Sequence, residues 1–120
     1  MRSLLVIALF VAAYAAVPCA AQVQVKIDHP IRHIAGLVQK PNGDPAPNID
    51  VEVFGGRSLI ANAKTDSHGK FSTDGVEPGE YEVWFTYKPH PVFKDVIYKL
   101  TINSKGSKEP IVVKLQPLQE

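Results

Sequence analysis

The sequence predicts an all-β protein, a single seven- to eight-stranded antiparallel β-sandwich, and three observations carry that prediction. Short runs in which apolar and polar residues alternate recur from residue 22 onward. Nine of the ten prolines and all eight glycines fall in the same part and divide it at short intervals. No uninterrupted stretch keeps the spacing of an apolar helix face. Strands that are this short, separated by turn residues, favour two packed sheets over a barrel.

The elements follow in order. Val23, Val25 and Ile27 alternate and can form an eighth strand along an edge. Ile34–Val38 is the first strand of the core, and Pro41–Pro47 makes a rigid loop after it. Ile49, Val51 and Val53 alternate with Asp50 and Glu52, the pattern of a strand with one buried face. Gly55–Ser58 turns the chain into Leu59–Thr65, and Asp66–Gly69 turns it again into Lys70–Thr73. Val76–Gly79 leads to Tyr81–Tyr87, where Tyr81, Val83, Phe85 and Tyr87 share a face. Asp95–Ile102 places Val96, Tyr98, Leu100 and Ile102 on one side, and Ile111, Val113 and Leu115 complete the core.

Residues 1–21 read differently. Met1-Arg2-Ser3 is a short positive lead, Leu4–Ala16 is apolar throughout, and Cys19-Ala20-Ala21 follows a break at Val17-Pro18. This is the order of a secretory signal, and its apolar run is short of the ~20 residues that span a bilayer. Cleavage after Ala21 is expected, which makes the protein secreted or periplasmic with no stable membrane span. The alternative is lipidation at Cys19, although Pro18 stands where such a signal has Gly, Ala or Ser. The expected organisation is 1–21 signal peptide, 22–33 N-terminal extension or edge strand, and 34–117 sandwich.

Cys19 is the single cysteine, so the remainder must be stable without disulfides. With Arg2 set aside, twelve Lys and Arg balance twelve Asp and Glu. That balance excludes the basic footprint of a nucleic-acid or anionic-membrane binder.

Five short patterns occur in sequence: Ile34-x-Gly36-x-Val38, Gly43-x-Pro45, Val51-x-Val53, Thr65-Asp66-x-x-Gly69-x-Phe71 and Pro78-Gly79-x-Tyr81-x-Val83. Together they resemble the carboxypeptidase regulatory-like domains over about Ile34 to Leu115. The resemblance implies a transthyretin-like, Ig-like Greek-key sandwich of the carbohydrate-binding-like kind. It also implies a noncatalytic module used for stability, adhesion or carbohydrate contact. No peptidase or receptor barrel accompanies it in these 120 residues, so that accessory role has no obvious client. Asp66, Gly69 and Pro78-Gly79 are read as determinants of turns, not as site residues.

The candidate sites are few. His29, His33, His68 and His90 invite a metal, but Pro30 breaks the only helical spacing among them and no thiolate assists, so no metal or cofactor is expected. No Gly-x-Ser-x-Gly, His-Glu-x-x-His or phosphate loop is present. The Tyr-Arg-Gly-Ser of transthyretin-like hydrolases is absent, and Gln116–Glu120 stands in its place. No enzyme is expected. Trp84 is the suggestive residue, because strict alternation throws it outward between Glu82 and Thr86. An outward indole can stack on a sugar ring, with His90 and Phe93 just downstream to extend the platform. Alternatively, the Val23–Ile27 segment or a loop covers it.

The expected function is an exported noncatalytic binding or structural module whose partner is a polysaccharide or an envelope or extracellular protein. The alternatives are a protein–protein adhesion module acting through a sheet edge and, from another class, a small transthyretin-like hydrolase or metal-binding protein.

Overall fold

Alternation of apolar residues dictates eight strands, and the computed structural model, which describes residues 22–90 and 92–118, contains them. The export signal and Cys19 lie outside the described residues. In chain order the strands are β1 (Gln22–Lys26), β2 (Ile34–Gln39), β3 (Asp50–Gly55), β4 (Ser58–Lys64), β5 (Lys70–Thr73), β6 (Gly79–Thr86), β7 (Asp95–Ile102) and β8 (Ile111–Lys114). They form a five-stranded sheet in the order β1-β7-β6-β3-β4 and a three-stranded sheet in the order β5-β2-β8.

The core lies between the sheets. Val51 and Val53 of β3, Val83 and Phe85 of β6, and Val96 and Leu100 of β7 meet Ile34, Val38, Phe71 and Val113 of the smaller sheet. Phe85 joins the layers: its ring stands edge-to-face with Phe71 at 5.2 Å and with Tyr98 at 5.6 Å. Such pairs add to the burial energy of the rings themselves. Tyr81 and Tyr87 share the inward face of β6 and are half-buried at its two ends.

Two ladders correct the expectation of a wholly antiparallel fold. β1 runs parallel to β7, and β2 runs parallel to β8, while the other four ladders are antiparallel. Alternation reports which face a residue takes but not the direction of its neighbour. Both parallel pairs join strands far apart in sequence, where no tight hairpin sets the direction.

The turns behave as their residues demand. One oxygen of Asp66 accepts from the backbone N–H groups of His68 (2.9 Å) and Lys70 (3.0 Å), while Gly69 takes a left-handed φ of 75°. These two bonds hold the Asp66 carboxyl below its usual range, the Lys70 N–H contributing most. Beside this turn the buried Thr65 hydroxyl donates to the Ala46 carbonyl (2.7 Å) and accepts from the Ile49 N–H (2.9 Å). It thereby ties the Pro41–Pro47 loop to the start of β3. Gly36 serves a different need, because a Cβ there would collide with the Ile111 carbonyl of β8.

Candidate functional site

The outward residues of the five-stranded sheet form rows across its strands. In one row Gln24 of β1, Ile97 of β7, Trp84 of β6, Glu52 of β3 and Asn62 of β4 stand in register. The next row contains Lys26, Lys99, Glu82, Phe54 and, past a bulge, Leu59. Paired residues point to the same face, so each row is a line of neighbouring side chains.

Trp84 is half-buried on this outer face. Its Nε1–H donates to Glu82 Oε1 at 3.2 Å, and its ring meets Phe54 edge-to-face at 6.0 Å. β1 does not lie over it; that strand joins the sheet edge beyond β7. Ile97, beside Trp84 in register, departs from the simple alternation by being only 3% exposed on the outer face. The indole and the Gln24 side chain flank it, which accounts for an apolar residue on the solvent side.

From Glu82, one row past Trp84, opens a groove of about 610 Å³ whose lining does not include the indole. Its floor takes Glu80 and Glu82 from β6 and Lys99 and Thr101 from β7, while Phe54 lines one side and Asp28, His29 and Pro30 the other. His29 Nδ1 lies 3.3 Å from Asp28 Oδ1, an exposed pair at the rim.

The five residues singled out in the sequence fall into two groups. Trp84 and Glu82 touch, and Thr86 lies one row further along the same face, opposite Asp50. Around that end Lys88 reaches Glu52 (3.4 Å) and Asp50 (3.8 Å), and Lys64 reaches Asp50 (3.6 Å). His90 and Phe93 do not extend the Trp84 platform. Both pack on Tyr87, at 5.4 and 5.8 Å between ring centroids, and line a separate cleft of about 190 Å³ with Lys40 and Asn48. Tyr87 has the inward parity of β6, so its partners gather at the end of the sandwich and not on the outer face. Phe54, Lys26 and Lys99 were not singled out by sequence. The alternation of Val51 and Val53 is a signal that would find Phe54 on the outer face, but the two lysines meet only through the parallel β1–β7 register.

Among the described residues no group of three or more His, Cys, Asp or Glu side chains is placed to hold a metal ion. No helix among the described residues is long and apolar enough to cross a membrane.

The family model of the carboxypeptidase regulatory-like domain matches residues 33–116. The chain belongs to this family. No curated protein matches it in sequence. Among solved structures, this carboxypeptidase regulatory-like domain is similar to the 5-hydroxyisourate hydrolase of Klebsiella pneumoniae, with a TM-score of 0.56 and 15% identity, over 72% of this chain and 95% of that one. It is also similar to an (S)-allantoin synthase, with a TM-score of 0.47 and 17% identity, over 76% of this chain and 45% of that one. The likeness to the hydrolase is one of fold, and the fold is transthyretin-like.

Proposed function

We propose that this carboxypeptidase regulatory-like domain is an exported, noncatalytic module that binds carbohydrate through the outer face of its five-stranded sheet. The observation that carries the proposal is the outward Trp84, oriented by its bond to Glu82 and by the edge of Phe54, beside an open groove. A ring held in place before a ligand arrives loses little freedom on binding. Its apolar face suits a sugar ring, and the carboxylates of Glu82 and Glu80 can accept from sugar hydroxyls. Export rests on the signal pattern of residues 1–21. At 15% identity, the fold shared with a hydrolase brings no catalytic residue with it.

Trp84 is the only tryptophan, so fluorescence reports this face alone. Titrating the protein with a polysaccharide panel should give a saturable change with at least one glycan. Trp84→Ala should weaken that binding at least tenfold, read by calorimetry, while far-ultraviolet circular dichroism shows the sandwich still folded. If no glycan binds, the carbohydrate reading is wrong.

Adhesion to another protein is the second reading, favoured by the open edge of β4. Leu59 and Ile60 there are 47% and 46% exposed, and an uncovered apolar edge strand can accept a partner strand. Such binding should survive Trp84→Ala and fail when Ile60 is replaced by lysine.

A further inference from the structure

We infer that the ligand of the groove is an acidic sugar, a uronate unit whose carboxylate is held between Lys26 and Lys99. The inference rests on the carbohydrate reading above and narrows it to a chemical class.

The argument starts from the register. β1 lies parallel to β7 with Lys26 directly beside Lys99, so two ammonium groups leave the same face of neighbouring strands. Like charges placed side by side on a sheet repel and destabilise it. Among the described residues neither lysine makes an ion pair. Glu82 is the acid opposite Lys99 on the other side, yet one of its oxygens is taken by the Trp84 indole. The sheet therefore keeps a repulsive pair at the edge of this groove, and an anion seated there would relieve it.

The rest of the groove limits which anion fits. Glu80, Glu82 and Asp28 also line it, so three carboxylates face whatever enters. A polyphosphate or nucleic-acid strand presents acceptors to these acceptors and would be repelled. A neutral glycan would satisfy the carboxylates with its hydroxyls but place no anion between the two lysines. A uronate does both: its carboxylate accepts from the two ammonium groups, and its ring hydroxyls donate to Glu82 and Glu80. Phe54 completes the row and offers an apolar edge to the ring that follows. From β1 to β3 the row spans about 14 Å, three interstrand spacings, which accommodates two linked sugars.

The test is calorimetry on the full chain with tetrasaccharides of galacturonate, mannuronate and glucuronate. Beside them run the methyl ester of each, a neutral galactotetraose and an inorganic polyphosphate. One uronate should bind, with its methyl ester at least tenfold weaker. Lys26→Ala with Lys99→Ala should remove that preference while Trp84 emission stays unchanged and the thermal midpoint does not fall. Equal binding of the ester or the neutral tetraose, or an unchanged preference in the double variant, would overturn the acidic-sugar inference and leave the carbohydrate reading standing. Tighter binding of polyphosphate would make the lysine pair a general anion site and overturn it as well. Failure of every glycan here and in the polysaccharide panel would overturn both.

Discussion

The hydroxyl of Thr65 offers the most direct check on how the loops of this domain are held. Thr65 is 3% exposed, and its oxygen is the hydrogen-bond partner of the Ile49 N–H and the Ala46 carbonyl, both in buried residues. Thr65→Val keeps the shape and deletes the hydroxyl, which leaves one buried donor and one buried acceptor unpaired. Each orphan costs roughly 1–3 kcal/mol, so the variant should lose about 2–6 kcal/mol. For a domain of this size that loss lowers the thermal midpoint by roughly 10–30 °C. Thr65→Ser is the matched control, since it keeps the hydroxyl and gives up one methyl, worth about 1 kcal/mol. Urea unfolding of both variants, followed by Trp84 fluorescence and far-ultraviolet circular dichroism, measures the difference. A valine variant no less stable than the serine variant would refute the claim that this hydroxyl joins the loop to β3.

Two further outcomes follow from the geometry. Gly36→Ala places a methyl group on the Ile111 carbonyl, so β2 and β8 must separate, and thermal unfolding should show a loss above about 3 kcal/mol or no folded protein at all. Asp66 has a folded pKa below its unfolded value, so its contribution is present above about pH 4 and fades as acid protonates the folded carboxylate. Asp66→Asn should therefore flatten the fall in stability as the pH drops below about 4, and an unchanged slope in urea titrations there would count against the Asp66 turn.

Much of the fold was legible because a sandwich strand repeats every two residues. Val51 and Val53, Val83 and Phe85, and Val96 and Leu100 are each buried on the face that alternation assigned. The turn at Asp66–Gly69 was equally legible, since a short acid followed by glycine has few other conformations that satisfy the backbone. Strand direction was not legible, because side-chain parity is the same in parallel and antiparallel ladders. The same blindness hid half of the candidate site. Trp84 and Glu82 lie two apart on one strand, and their contact is local. Lys26 and Lys99 come from opposite ends of the chain, and only the β1–β7 ladder makes them neighbours. His90 and Phe93 were drawn to the wrong face by closeness in sequence. The chain leaves β6 at Tyr87, whose inward ring gathers them at the end of the sandwich.

The two parallel ladders also set the order in which the molecule can form. Val23 pairs with Val96 and Leu37 with Val112, contacts that bridge roughly seventy residues of chain. Closing loops of that length costs chain entropy before the contact returns anything. As the polypeptide is made from its N-terminus, β1 has no neighbour until β7 is complete, and one side of β2 stays unpaired until β8 emerges. The hairpins β3–β4 and β6–β7 can assemble first, whereas β1 must wait for β7 and β8 must find β2 in the other sheet. A chain arrested before β8 leaves a hydrophobic strand edge open in its smaller sheet, and that edge is where misassembly would begin.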